Sequence, residues 1–364
     1  MIDSVFWKDK KVFVTGHTGF KGAWLCMWLQ ALGAEVTGYA LNPVSSPSLF
    51  ELCRLSLSMK SIIGDIRDRE MLQQAIIASN PDIVIHMAAQ PLVRESYQYP
   101  VETYEVNVLG TVYLLEAVRH AVQLGLKTKA IVNVTSDKSY ENMEWQWGYR
   151  ENDPLGGYDP YSNSKACSEM VTSAYRKSFF NPAEYQMHGV GLASARAGNV
   201  IGGGDWASER LVPDCIRAYE KGEKIIVRNP NAIRPWQHVL EPLYGYLLLA
   251  QSLYENGPEY AQSWNFGPDD QDIKSVEWVV EELMNRLNGS FEISGSRDRQ
   301  PHEAKLLKLD CSKAKTYLNW QPKWRLNKSI DLIVEWIQGY MSNEDVKEIC
   351  LKQIRYYEET DLCK

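Results

Sequence analysis

The sequence predicts an α/β fold: a Rossmann-type doubly wound parallel sheet, followed by a smaller mixed α/β lobe that binds substrate. Three observations carry this. Short apolar runs alternate with helix-length segments through the first 195 residues, as strands covered on both faces by crossover helices do. A glycine turn, Thr15-Gly16-His17-Thr18-Gly19-Phe20-Lys21-Gly22, separates the first strand from the first helix, the place where a dinucleotide fingerprint belongs. The chain has 364 residues, more than one core usually serves, so a second lobe is expected.

The elements follow in order. Residues 11–15 are a buried strand and residues 23–32 an amphipathic helix. Residues 35–39 and 61–63 are the second and third strands, the latter ending at Gly64-Asp65. Asp68 caps a helix that runs to residue 79. Residues 82–86 are the fourth strand, residues 101–123 a long helix and residues 130–134 the fifth strand. A loop bearing Trp145 and Trp147 leads to a helix over residues 158–179, then a sixth strand over 189–195. Beyond residue 196 short strands (224–227, 263–266, 291–293) mix with helices near 208–221, 241–254, 275–288 and 327–341. We therefore expect an NAD-binding domain over residues 1–195, with a return excursion near 235–265. A substrate lobe covers mainly residues 196–345, and residues 346–364 form a charged surface segment.

Composition excludes several classes. Hydrophobic residues make up 45% of the chain and the net charge is −7, so a soluble globular protein with no nucleic-acid partner is expected. No apolar run reaches the ~18 residues that span a membrane. The first strand starts too early to leave room for a leader. The seven cysteines are scattered, with no Cys-x-x-Cys, which predicts a reduced, cytoplasmic chain and no metal site.

Two groups of residues point to chemistry. Gly16, Gly19 and Gly22 let the backbone approach a pyrophosphate, and the helix N-terminus supplies N–H donors. Phe20, Ile66 and Ala88 are further candidates for cofactor contact, and Asp65 suits an adenine edge. No carboxylate ends the second strand, which reads Tyr39-Ala40-Leu41-Asn42, and no cation stands there for a 2′-phosphate. NAD is therefore expected over NADP. The missing carboxylate and the bulky His17 in the turn predict weak retention, although His17 reads equally as a solvated turn residue. In the second group, Tyr161 and Lys165 sit four residues apart on one helix face. A phenol of pKa about 10 becomes a base near neutral pH only beside cations. Lys165 and a nicotinamide would supply them. Ser136, at the end of the fifth strand, is placed to hydrogen-bond a reacting alcohol.

With the segments His86-Met87-Ala88-Ala89-Gln90, Asn107-Val108-Leu109-Gly110-Thr111 and Arg196-Ala197-Gly198-Asn199-Val200, the chain resembles the extended short-chain dehydrogenase/reductases over residues 10–330. This is the family of nucleotide-sugar epimerases and dehydratases. The resemblance implies a nicotinamide cofactor, a nucleoside-diphosphate sugar substrate and a homodimer or homotetramer built on helices 101–123 and 158–179. Within the family the 4,6-dehydratases carry an Asp, which protonates the departing C6 hydroxyl, followed by a Glu, which takes the C5 proton. Here the pair is Asp137-Lys138. It implies a dehydratase over an epimerase, with Lys138 as the C5 base. Arg234 and Arg299 resemble the diphosphate-binding arginines and Asn199 a diphosphate or sugar contact. Arg210 and His302 are further candidates for binding, and Gln90, Arg94 and Ser96 for facing the sugar. Trp145, Trp147 and Trp206 could line the pocket, with a core role the default.

Overall fold

The computed structural model describes residues 2–227, 229–293 and 306–360. Six strands, β1 (Lys11–Thr15), β2 (Glu35–Ala40), β3 (Lys60–Ile63), β4 (Ile83–His86), β5 (Ala130–Val134) and β6 (Gly191–Ala197), form one parallel sheet. The edge strand Ser263–Phe266 joins it beside β6, and the order runs from that strand through β6, β5, β4, β1 and β2 to β3. The chain reverses its direction of winding at β1, between β2 and β4. That is where an open α/β sheet parts at its carboxyl ends to admit a ligand.

A polar row crosses this otherwise apolar sheet. Thr15 pairs with His86, His86 with Asn133, Asn133 with Ser194 and Ser194 with Ser263. The row is satisfied by the helices above it, as buried polar groups must be. Asn133 Nδ2 donates to Ser168 Oγ at 3.0 Å and to Thr172 Oγ1 at 2.7 Å. Ser194 Oγ donates to a Glu169 carboxylate oxygen at 2.7 Å, and Arg196 closes on the same oxygen at 2.8 Å. Ser168, Glu169 and Thr172 all lie on the helix Pro160–Ser178. These bonds fix its rotation, and with it the direction of Tyr161 and Lys165 one to two turns earlier.

Three expectations are corrected. The helix Phe20–Ala31 is not amphipathic: residues 22–29 are all buried. The C-terminal segment is more than a surface helix: Val346–Glu359 exposes its charged face but lies against Phe20–Ala31 and buries Ile349, Cys350, Ile354 and Tyr357. Trp28 Nε1 donates to Glu358 at 2.7 Å and its ring meets Tyr357 edge-on. The long helix at 101–123 is broken into Pro100–Tyr104, a π-helical turn over Glu105–Leu109 and Gly110–Gln123.

Candidate active site

Gly16 after β1, Met87 after β4, Val134 in β5 and Ala197 in β6 open onto one cavity of about 590 Å³. The glycine turn forms part of its wall. Gly16 has φ +77°, and a Cβ there would lie 2.8 Å from the Ala88 nitrogen; one on Gly22 would lie 2.1 Å from the Gly16 carbonyl oxygen. The helix Phe20–Ala31 begins at Gly19 without a side-chain cap, so the N–H groups of its first turn are available to an anion. Asp65, Ile66 and Ala88 share the cavity with Tyr161 and Lys165. A glycine cradle with a carboxylate in one part of the lining and a Tyr/Lys pair in another fits a nicotinamide dinucleotide.

His17 takes no part in the lining and is not solvated. Its ring is buried, bonded through Nε2 to Ser61 Oγ at 2.7 Å and set edge-on to Phe50. Gly38 makes room for it, since a Cβ there would fall 2.2 Å from the imidazole. Burial lowers its pKa to about 4, opposed by its bond to Tyr39. Asp65 is engaged by Arg67, whose Nη2 reaches it at 2.6 Å, and this pairing first of all holds the carboxyl below its usual range.

In the catalytic corner, Ser136 and Lys138 line the cavity beside Tyr161 and Lys165. Asp137 lies one layer behind, with no exposed surface. Ser136 Oγ donates to Asp137 Oδ1 at 3.0 Å, and Lys138 Nζ stands 3.6 Å from the same oxygen. Asp137 Oδ2 is buried with no hydrogen-bond partner among the described residues. Lys138 Nζ also donates to Asn199 Oδ1 at 3.4 Å. The expected acidification of Tyr161 is not produced by the protein's own groups. Burial raises its pKa and outweighs the Lys138 charge and the Ser136 hydrogen bond, which lower it. Lys165 stands beside it on the cavity wall. Its ammonium is tied to the Val134 carbonyl at 3.3 Å, and burial, opposed by Glu169, brings its own pKa to about 8.

The substrate candidates separate. Arg94, Asn199, Arg210 and Arg234 line the cavity. Arg94 meets Glu209 at 3.5 Å, Arg210 meets Asp205 at 2.9 Å, and Arg234 is buried. Gln90 and Ser96 do not face it. Gln90 bonds the Leu92 backbone through both side-chain atoms. Ser96 Oγ donates to Val93 O and accepts the Tyr161 N–H at 3.1 Å, a scaffold for the helix start. Arg299 and His302 lie outside the described residues. The tryptophans pack elsewhere: Trp145 on Tyr149, Trp206 on Trp336 and Tyr340, while Trp147 is largely exposed. Arg196 is structural, locked to Glu169 and to the Tyr140 hydroxyl at 2.7 Å.

Sequence reasoning missed Lys21. It is half-buried, opens into the cavity and donates to Tyr246 Oη at 3.2 Å. Burial first, then Lys165 and Arg210, bring its pKa to about 7, opposed by Asp137. One signal was available: it is the single charged residue in a helix that otherwise reads Phe-Gly-Ala-Trp-Leu-Cys-Met-Trp-Leu-Gln-Ala.

Against known proteins, residues 13–333 match the family model for GDP-mannose 4,6 dehydratase. The CDP-glucose 4,6-dehydratase of Salmonella typhimurium is 57% identical over 353 residues, 97% of each chain. A probable dTDP-glucose 4,6-dehydratase of Sinorhizobium fredii is 25% identical over 92% of this chain and 93% of its own. The UDP-glucose 4-epimerase of Thermus thermophilus, solved with NAD, superposes with a TM-score of 0.76 at 25% identity, covering 90% of this chain and 99% of that one. The dTDP-glucose 4,6-dehydratase of Streptomyces venezuelae shares the fold with a TM-score of 0.75 at 23% identity, over 91% and 97%. Glycine cradle, Tyr/Lys pair and a match spanning nearly the whole chain lead to one assignment: this chain belongs to the GDP-mannose 4,6-dehydratase family of extended short-chain dehydrogenases/reductases.

Proposed function

We propose that the chain is an NAD-dependent CDP-glucose 4,6-dehydratase, yielding CDP-4-dehydro-6-deoxy-D-glucose and water. The observation that carries this is the wall on which Ser136 and Lys138, with Asp137 behind them, stand beside Tyr161 and Lys165. It is supported by the 57% identity to a CDP-glucose 4,6-dehydratase. NAD, which Gly16, Gly19, Gly22, Asp65, Ile66 and Ala88 on the cavity wall would hold, would supply the reversible hydride chemistry that the reaction needs. Tyr161 takes the C4 hydroxyl proton, with Ser136 hydrogen-bonding that oxygen. Lys165, beside Tyr161 on the cavity wall, orients ligand hydroxyls. The C4 ketone acidifies C5–H. Lys138 takes that proton and later returns it, while Asp137 protonates the C6 hydroxyl so that it leaves as water. Arg234 and Asn199 face the cavity and suit the diphosphate.

The setting follows the same reading. The product serves deoxysugar assembly of the lipopolysaccharide O-antigen type, in the cytoplasm. No helix among the described residues is long and apolar enough to cross a membrane. Exposed Met170 and Phe179 on and after helix Pro160–Ser178, with Val101 and Leu109 nearby in the chain before Gly110–Gln123, support a homodimer or homotetramer built on this pair. Incubation with CDP-, dTDP-, UDP- and GDP-linked hexoses plus NAD tests the assignment. A 4-keto-6-deoxy product from CDP-glucose is expected. A C4 epimer without water loss would make the chain an epimerase.

A further inference from the structure

Lys21 is a cavity cation with no part in the sugar chemistry. It stands on the first turn of helix Phe20–Ala31, just after Gly19, where no side chain caps the helix. A buried phenol aims its ammonium: Nζ donates to Tyr246 Oη at 3.2 Å and lies 5.3 Å from the centre of that ring. Tyr246 belongs to helix Leu240–Tyr260, so two elements remote in sequence fix where this charge sits. Other cations on the wall are matched by carboxylates of the protein: Arg94 by Glu209, Arg210 by Asp205 and Lys138 by Asp137. Among the described residues Lys21 has no such partner, only the phenol. An ammonium drawn out of water without a counter-charge is costly, and an anionic ligand in the cavity recovers that cost. A second observation comes from the end of β2 and the loop after it. Tyr39-Ala40-Leu41-Asn42 lines the cavity and offers no carboxylate to an adenosine ribose, while Asp65 is held by Arg67 at 2.6 Å. With the usual ribose anchor missing, a dinucleotide has to be gripped elsewhere.

We propose that Lys21 anchors the dinucleotide's diphosphate, replacing at the phosphates the hold that the missing carboxylate would give at the ribose. This rests on the nicotinamide cofactor of the reading above, not on which sugar nucleotide reacts. The glycine turn lets the diphosphate approach the helix start, and Lys21 adds a charged donor to the backbone N–H groups there. Tyr246 is its positioning residue, holding the ammonium on the cavity side of the helix. The groups around Lys21 leave its charge easily changed. Burial first, then Lys165 and Arg210, bring its pKa to about 7, and Asp137 opposes them. Tyr246 is kept a neutral phenol by its own burial. A diphosphate against the ammonium favours the charged form, so binding should draw in about half a proton at pH 7.

Titration calorimetry on the full chain freed of cofactor, with NAD, ADP-ribose, adenosine and CDP as separate ligands, tests this. Lys21→Met should weaken NAD and ADP-ribose alike by about 10- to 100-fold, the scale of a lost charge-assisted hydrogen bond. Adenosine, which has no phosphate, and CDP, which carries the other diphosphate, should bind as to wild type. Repeated in buffers of different ionisation enthalpy at pH 7, wild type should take up about half a proton with NAD, and Lys21→Met none. Lys21→Arg, charged at every working pH, should keep most of the affinity and lose the uptake. Tyr246→Phe, which keeps the ring, should cost less than Lys21→Met. Wild-type affinity for NAD and ADP-ribose in Lys21→Met, or proton uptake that persists in that variant, would overturn the proposal. So would a loss confined to CDP, which would put Lys21 on the sugar nucleotide's diphosphate, or an equal loss for adenosine, which would make it a support of the turn. Wild-type protein that binds neither NAD nor ADP-ribose would instead overturn the cofactor reading.

Discussion

Acidification should unfold this protein through its buried histidines. His17, His86 and His238 are all buried, and burial lowers their pKa values to about 4, 3 and 3, with Lys165 adding to the effect on His86. A group with a lowered folded pKa gives stability that is complete above its unfolded pKa, about 6.5 for histidine, and is lost as pH falls toward the folded value. Glu241 works the other way. It is buried, and burial lifts its pKa to about 7 against bonds from Tyr357 and the backbones of Trp324 and Lys323. Its contribution is present at low pH and disappears as pH rises through about 7. At pH 5.5 the unfolded chain carries about 2.7 histidine protons that the folded chain lacks, and the folded chain holds about 0.9 more on Glu241. The net of about 1.8 protons gives a slope of about 2.5 kcal/mol per pH unit. Glu151, also raised by burial, trims this, so it is an upper value. Urea unfolding at pH 5, 5.5 and 6 measures it. Glu241→Gln should steepen the slope to about 3.7 kcal/mol per unit, although the variant also loses the Glu241 carboxylate's bonds. Unfolding free energies that stay flat between pH 6 and 5 would show that these imidazoles are protonated in the folded protein.

Four further outcomes are expected. Lys138→Ala should retain C4 oxidation but lose deuterium uptake at C5, slowing turnover by about 10²–10⁴; water loss at the wild-type rate would reduce Lys138 to a positioning residue. Gly22→Ala brings a methyl within 2.1 Å of the Gly16 carbonyl oxygen. At about 1–3 kcal/mol for overpacking, calorimetry should show NAD affinity weakened by roughly 10- to 100-fold. Arg196→Met strands the buried Glu169, whose carboxyl burial would raise but Arg196, Thr135 and Ser194 together hold at about 2. A loss of about 3–5 kcal/mol is expected, and pairing the change with Glu169→Gln should return much of it in urea titrations. Lys21, at about 7, is increasingly charged below that pH. Affinity for the anionic dinucleotide should fall as pH rises through 7, and Lys21→Met should remove that dependence.

The architecture was legible because its signals are local. Residues 11–15, 35–39, 61–63, 82–86 and 130–134 are short apolar runs, and all of them fall in the sheet. The glycine turn was legible for a harsher reason: a Cβ at Gly16 or Gly22 meets backbone, so the residue type itself reports the close approach. What failed was orientation. Gln90 and Ser96 follow β4 and belong near the pocket by position, but each side chain is spent on nearby backbone. Nothing in a one-dimensional pattern distinguishes a serine that faces a sugar from one that fastens a helix. His17 failed in the same way. Its partners Ser61 and Phe50, and the space left by Gly38, come from three other segments.

The two misread helices have a common cause. An all-apolar helix such as Phe20–Ala31 must be covered on every side, and the element that covers its outer face is the one read as surface because it is charged. Val346–Glu359 keeps its charges outward and gives Ile349, Cys350, Ile354 and Tyr357 to the core. Each reading is corrected by the other once the two are placed in contact, with Trp28, Tyr357 and Glu358 as the joint. The same contact gives Lys21 its meaning. A lysine at the first turn of a helix sealed on all other faces has one direction left for its ammonium, toward the cavity. There it meets Tyr246 and shares the field of Lys165, Arg210 and Asp137. The C-terminal helix, remote in sequence, thus helps hold the helix that carries this cation, and truncating it should loosen the cofactor turn as well as the core.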